Sequence, residues 1–242
     1  MEDLEKTQEK LITEYQNWWI ELKGLSKEKY NFTDKEYSLP YFTFVPDFWY
    51  KNNAIKVLII GEEARGDWDV DDWRNAGIDK IMAWAKNHQK EQLSNKTKSV
   101  FWQRVKKIKN IKPDRIVCAW TNIDKIHHNG TKNCSLNKEE RILLHSTEIK
   151  ILAKEIEYFN PDIVVFFGWS NRKEAIKAEL PKLYNKFFVK ESYEYEKLFE
   201  YIYRIQDGTK TYIFTAHPGW HGKYKPSDYE ENVYKAVEMS IK

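Results

Sequence analysis

Two acidic side chains, Glu62 and Glu63, directly follow a short apolar run and begin a loop rich in carboxylates. Carboxylates in such a position can bind a metal, act as a general base or simply keep a loop soluble. Late in the chain, His217 follows another apolar run and precedes Pro218-Gly219, a turn that sets the direction of the imidazole. If the two runs are neighbouring strands, the acids and the histidine can face one another.

A metal centre is a second interpretation of these residues. His217 and His221, with nearby carboxylates, could hold a divalent cation for hydrolysis. Their spacing resembles that of a helical histidine pair, but Pro218-Gly219 disfavours a helix. The cysteines Cys118 and Cys134 provide neither a disulfide framework nor a metal cluster. Because candidate ligands are few, we predict no metal site.

The positioning elements are short apolar runs separated by helical patterns, which predict βαβ crossovers and a mainly parallel sheet. The predicted strands are Lys56–Gly61, Arg115–Trp120, Asp162–Gly168 and Lys210–Thr215, with a candidate edge strand at Leu198–Ile205 and a hairpin turn at Asp207-Gly208. The predicted helices are Glu2–Lys23, ended by Gly24, then Asn75–Lys86, Val100–Lys109, Lys138–Phe159, Asn171–Leu180 and Ser227–Ile241.

These elements predict one α/β domain over residues 1–242, with a central sheet of about four strands flanked by helices. Residues 1–50 would form an N-terminal helix and a covering segment, irregular from Tyr37 to Tyr50. Ligands of such sheets bind beyond the carboxyl ends of the strands. We therefore expect the chemistry in the loops that follow the predicted strands.

Composition narrows the class of protein. Apolar residues make up 41% and charged residues 32% of the 242 residues, which is typical of a globular chain, and no apolar run is long enough to span a membrane. The N-terminus is acidic and lacks a signal-peptide pattern, so we expect a cytoplasmic protein. A net charge of +3 is small, so any DNA-binding surface should be a local patch.

Four segments, taken in order, resemble motifs of the uracil-DNA glycosylase superfamily. They are Gly61-Glu-Glu-Ala-Arg65, Trp120-Thr-Asn-Ile-Asp-Lys125, the strand region 160–168 and Ala216-His-Pro-Gly219. The resemblance implies a monofunctional DNA glycosylase, which flips a nucleotide out of the stack and hydrolyses its N-glycosidic bond to leave an abasic site. It also implies DNA as the partner, and we expect a monomer.

The resemblance assigns roles by position. Glu63 matches the catalytic acid of the commonest motif, and Glu62 matches the acid of another branch, so both are candidates. His217 matches the histidine that polarises the base oxygen, and Asn122 matches the residue that reads the amide edge of a pyrimidine. The flipped base would stack on one of two tryptophans in the first loop, Trp68 or Trp73.

The stretch after His217 resembles the loop with which the family engages DNA. Trp220 or His221 would fill the gap left by the flipped nucleotide, and Lys223 and Lys225 would bind phosphates.

The sequence departs from the uracil-specific pattern in the first motif, where Ala64 and Arg65 replace a proline and a pocket-closing tyrosine. A wider pocket lined by a guanidinium suggests a 5-modified pyrimidine, such as a modified cytosine in phage DNA, besides uracil itself. Such a substrate would suit antiviral defence. The four cysteines that bind an iron–sulfur cluster in some branches are absent, so we expect no cofactor.

Two other functions stay open at this point. One is a metal-dependent hydrolase of nucleotides or phosphoesters. The other is a non-catalytic protein that binds DNA or a nucleotide.

Overall fold

The computed structural model describes residues 2–28, 40–63, 77–93, 99–126, 138–168, 196–199, 202–216 and 226–241. These residues form five helices and one six-stranded mixed sheet. In chain order they are α1 Glu2–Glu28, β1 Ile55–Glu63, α2 Ile78–Leu93, α3 Val100–Ile111, β2 Ile116–Asp124, α4 Lys138–Phe159, β3 Ile163–Phe167, β4 Glu196–Phe199, β5 Ile202–Asp207, β6 Lys210–Thr215 and α5 Pro226–Met239. Within the described ranges, the chain has no helix with the length and apolarity that crossing a membrane requires.

The sheet has the strand order β2-β1-β3-β6-β5-β4. The first four strands of this order run parallel, as predicted, while β5 and β4 are antiparallel. The expectation of about four strands is wrong, because the segment predicted as one edge strand supplies both β4 and β5. The predicted hairpin turn is confirmed, since Asp207 pairs with Lys210 and Gly208 has a φ of 59°.

Helices cover both faces of the sheet. Trp120 of β2 packs against Trp102 of α3, with ring centroids 4.5 Å apart, whereas the next residue, Thr121, hydrogen-bonds Glu155 of α4. Because successive side chains of a strand point to opposite faces, α3 and α4 lie on opposite sides. The apolar run of β1 between them is fully buried, as a central parallel strand requires.

Several predicted helix bounds differ from the structure: α3 ends at Ile111 instead of Lys109, and α5 covers Pro226–Met239 instead of Ser227–Ile241. The first helix does not end at Gly24 but continues to Glu28. Gly24 lies on an exposed position, where a glycine weakens a helix by about 1 kcal/mol without breaking it. The second helix covers Ile78–Leu93 and so runs beyond Lys86. The bounds of α4 match the prediction, and the helix predicted at 171–180 lies outside the described residues.

Both strands that lead to the predicted site are longer than their apolar runs. β1 continues through Glu62 and Glu63, and β2 continues through Asn122 to Asp124, although we predicted these residues to lie in loops. The two strands hold each other in place, with Gly61 paired to Asn122 and Glu63 to Asp124. The polar residues at these strand ends carry no apolar pattern, so the sequence alone could not predict that the strands continue through them.

The outer edge of β2 is covered by the irregular segment at 40–45, as predicted for part of the first 50 residues. The backbone N–H of Tyr41 donates to the carbonyl of Lys125, at 2.7 Å. Side-chain amides bind the segment from the other side: Gln8 accepts from Val45 N, and Gln89 bonds both backbone groups of Phe44. The segment therefore covers the edge of β2 near its carboxyl end, where Thr43 also donates to the carbonyl of Trp120.

Candidate functional site

Four parallel strands end side by side at one edge of the sheet. The strands lie in the order β2-β1-β3-β6, and a predicted motif stands at or just after the end of each of them. The backbone N–H of Gly168, just after β3, donates to the carbonyl of Thr215 at the end of β6, at 3.1 Å. The strand ends therefore converge as the sequence predicted, and they define the candidate site.

Asn122 is the best-defined polar side chain of this edge. It lies in β2, is 1% exposed, and rests over Gly61 of β1. A Cβ atom added to Gly61 would collide with Asn122 Oδ1 and would lie 3.3 Å from the Phe101 ring. Within the described residues, the buried Asn122 Nδ2 has no hydrogen-bond partner. An amide buried with an unused donor costs about 1–3 kcal/mol, so a ligand that accepts this hydrogen bond would recover stability.

Glu62 lies over a second glycine, at the end of β3. A Cβ on Gly168 would be 2.8 Å from Glu62 Cδ and 3.0 Å from Glu62 Oε1. Gly168 also has a φ of 100°, a conformation that disfavours other residues. The carboxylate of Glu62 therefore lies over the end of β3. Of Glu63, the structure describes only the backbone, which pairs with Asp124.

A buried ion pair holds the end of β2. Lys125 and Glu155 are both 0% exposed, and Lys125 Nζ lies 2.6 Å from Glu155 Oε2. Lys125 Nζ also donates to the carbonyl oxygen of Asn122, at 2.8 Å, and Thr121 and Tyr15 both donate to the Glu155 carboxylate. This network joins α1, α4 and β2, and it fixes the backbone from which the Asn122 side chain projects.

Burial perturbs the protonation of this network. Desolvation lowers the pKa of Lys125 from its usual value, although the charge of Glu155 acts in the opposite direction. Desolvation also raises the pKa of Tyr15 well above 10.0, and Glu155 raises it further. Tyr15 is therefore a hydrogen-bond donor at neutral pH, which suits its contact with the carboxylate.

A second polar cluster lies just beyond Asn122. His145 Nδ1 of α4 is 3.0 Å from Asp124 Oδ1 and 4.0 Å from Glu148 Oε2. Glu148 Oε1 accepts hydrogen bonds from the backbone N–H groups of Lys125 and Ile126, at 2.8 and 3.0 Å. Burial raises the pKa of Glu148 well above its usual value, and the nearby Asp124 adds to the effect. The three side chains could bind a proton or a cation.

Most of the other predicted site residues fall outside the described part of the chain: Arg65, Trp68, Trp73, His217, Trp220, His221, Lys223 and Lys225. Of the predicted residues, the structure describes the side chains of Asn122 and Glu62, which leave opposite faces of the sheet because Asn122 pairs with Gly61 and Glu62 is the next residue of β1. Their Cα atoms are about 6 Å apart, since they lie on neighbouring strands and are offset by one residue.

Sequence reasoning missed the residues of α4 and treated Lys125 as part of a loop. His145, Glu148 and Glu155 are three, then seven residues apart, a spacing that places them along one face of a helix. Ile149, Leu152 and Ile156 share the buried side. The sequence did carry a signal for these residues, because acidic residues stand between the apolar positions of this helix. An acidic residue on a buried helix face requires a buried partner.

A cavity of about 740 Å³ lies at the other end of β2, beside its first residues. Its walls include Ile116, Val117 and Cys118, and five lysines line it: Lys51, Lys86, Lys90, Lys106 and Lys109. Burial raises the pKa of Cys118 to about 12, so its thiol stays protonated. The cavity is about 16 Å from Asn122 along the strand and does not belong to the candidate site.

No protein-family model matches this chain, and a search of curated proteins found no match to its sequence.

Proposed function

We propose that this protein is a monofunctional DNA glycosylase that excises a pyrimidine base. The observation that carries the proposal is the side chain of Asn122, which is buried at the strand-end edge with its Nδ2 donor unused among the described residues. The amide edge of a pyrimidine presents an acceptor beside a donor, and a carboxamide can pair with both. A base flipped out of DNA would bring that edge to Asn122.

The adjacent acids suit the second requirement of the reaction. As the base leaves, the sugar gains oxocarbenium character, and a carboxylate can stabilise this cation or activate water. Glu62, which lies over Gly168 on the neighbouring strand, and Glu63 are both candidates for this role. His217 would polarise the base oxygen, because it lies two residues after the end of β6, at the same edge of the sheet.

We propose a 5-modified pyrimidine as the preferred substrate, with uracil as the alternative. Arg65 stands where the uracil-specific pattern has a tyrosine, and its guanidinium offers several donors to a polar substituent. Trp68 or Trp73 would stack on the base, while Trp220, His221, Lys223 and Lys225 would engage the DNA. Excision of modified cytosine from phage DNA would make the protein an antiviral factor.

The test is base release from duplex and single-stranded DNA carrying uracil, mismatched thymine or 5-modified cytosines, with EDTA present. Abasic sites are detected by alkaline cleavage. We expect release of one base, reduced at least about 100-fold in Asn122→Ala and abolished in Glu62→Gln or Glu63→Gln. Asn110→Ala, on the exposed face of α3, is the matched control and should retain full activity.

Two results would redirect the proposal. Retained modified-base preference in Arg65→Tyr would remove Arg65 from the pocket. An absence of abasic product on every DNA, with tight DNA binding kept, would favour a non-catalytic binder.

A metal-dependent hydrolase of nucleotides or phosphoesters is the second candidate, and the cluster of Asp124, His145 and Glu148 favours it. Such an enzyme would lose activity when the metal is removed by EDTA, whereas the proposed glycosylase would not.

A further inference from the structure

Asp124, His145 and Glu148 have the geometry of a ligand set. One donor atom from each lies within 4.8 Å of the other two, and His145 Nδ1 is 3.0 Å from Asp124 Oδ1. Ligand atoms bound to one tetrahedral zinc ion are about 3.4 Å apart, given bonds of about 2.0–2.2 Å. The 4.0 Å separation of His145 Nδ1 and Glu148 Oε2 would therefore need to shorten by about half an ångström, and the widest separation in the set, which is within 4.8 Å, by up to about 1.4 Å. Rotation of the side chains can supply both changes.

Glu148 supplies an independent indication. The residue is only 2% exposed, and both hydrogen bonds recorded for its carboxylate go to Oε1, from backbone N–H groups. Its other oxygen, Oε2, points toward His145 Nδ1 at 4.0 Å, beyond hydrogen-bond distance. Among the described residues, Oε2 thus has an open coordination position that is directed into the cluster.

We propose that Asp124, His145 and Glu148 bind one divalent transition-metal ion, with Zn²⁺ as the best match to one nitrogen and two oxygen donors. The ion would join the end of β2 to α4, two residues beyond Asn122, with water completing its coordination. Its role is to stabilise the fold, so the proposal does not depend on glycosylase activity.

The test uses the full chain, freed of metal with EDTA and then of EDTA by gel filtration. Titration with ZnCl₂ at pH 7.5 should show one equivalent bound at micromolar or lower Kd, and the melting temperature should rise by several degrees at saturation. Long-range ¹H–¹⁵N spectra of the wild type should show a shift of one imidazole nitrogen at His145. This last measurement needs no variant to fold.

Matched variants locate the ion. His145→Gln and Glu148→Gln should weaken Zn²⁺ binding at least about 100-fold, because each removes a ligand. Glu157→Gln, an exposed position on the same helix, should bind as the wild type does. The proposal is overturned if the wild type binds no Zn²⁺ up to 1 mM, or if the affinity is unchanged in both ligand variants. Loss of base release in EDTA at a temperature where the metal-free chain is folded would count against the proposed glycosylase, not against the metal site.

Discussion

At the scale of single residues, two glycines shape the candidate site. Gly61 leaves room for the amide of Asn122 from the neighbouring strand, and Gly168 leaves room for the carboxylate of Glu62. In both cases a polar side chain lies across the backbone of the next strand. A Cβ atom at either glycine would occupy the space of that side chain. The two glycines therefore set the orientation of the Asn122 amide, which we assign to base recognition, and of the Glu62 carboxylate, which we assign to catalysis.

Gly61→Ala should therefore impair function more than folding. The added methyl group would displace the Asn122 amide, and we expect kcat/KM for base release to fall at least about 100-fold, the size of effect seen when a positioned donor is lost. The free energy of unfolding should fall by about 1–3 kcal/mol from overpacking. Both quantities can be measured on the same preparation.

Gly24→Ala is the matched control for that substitution. No atom lies within 4 Å of a Cβ at Gly24, and the residue is exposed within α1. We expect full activity and a gain in stability of about 0.5–1 kcal/mol from helix propensity. Equal activity of Gly61→Ala and the wild type would show that the position of Asn122 does not matter to the reaction.

At the scale of elements, α4 does most to position the site. Glu155 receives hydrogen bonds from α1 and β2, and Glu148 binds the backbone that follows Asn122. The helix was predictable from its apolar spacing, and its bounds agree with the prediction. Its polar contacts were not predictable, because the partners of Glu155, namely Tyr15, Thr121 and Lys125, are 30 to 140 residues away in the sequence.

Glu155→Ala should destabilise the protein strongly. The substitution leaves the Lys125 ammonium buried without its counter-charge, a change that typically costs about 3–5 kcal/mol. Urea denaturation followed by circular dichroism measures the loss. Glu157→Ala, at an exposed position on the same helix, should change stability by no more than about 0.5 kcal/mol.

A double substitution separates the ion pair from simple loss of packing. Lys125→Met combined with Glu155→Leu replaces both charges by apolar groups, and stability should recover most of the way to the wild-type value. If the double variant is as unstable as Glu155→Ala, the pair is not the source of the loss.

At the scale of the whole molecule, buried tyrosines make the fold sensitive to alkali. Burial raises the pKa of Tyr15 and Tyr41 well above 10.0 and also raises those of Tyr229 and Tyr234. In the unfolded chain these phenols ionise near pH 10, while in the folded chain they keep their protons. The folded state therefore binds more protons above pH 10, and its stability falls as pH rises.

We expect ionisation of these tyrosines to leave the free energy of unfolding unchanged below pH 9. Above pH 10 it should lower the free energy of unfolding, by up to about 1.4 kcal/mol per pH unit for each such tyrosine. Lys125, whose pKa is lowered, has the opposite effect on stability, but it is one group against four tyrosines. Guanidinium unfolding at pH 9 to 11, with tyrosinate absorbance as a second probe, measures the effect. Stability that is flat to pH 11 would contradict it.

Local sequence patterns predicted the strands with apolar cores, the hairpin turn and the helices with clear apolar spacing, because these features follow from local periodicity. They also indicated that the chemistry follows the strand ends. Tertiary contacts were needed to show that Glu62 and Asn122 lie inside strands, that β4 and β5 widen the sheet to six strands, and that Lys125 contacts Glu155. These outcomes depend on partners distant in the chain, which satisfy polar groups that local patterns would assign to loops.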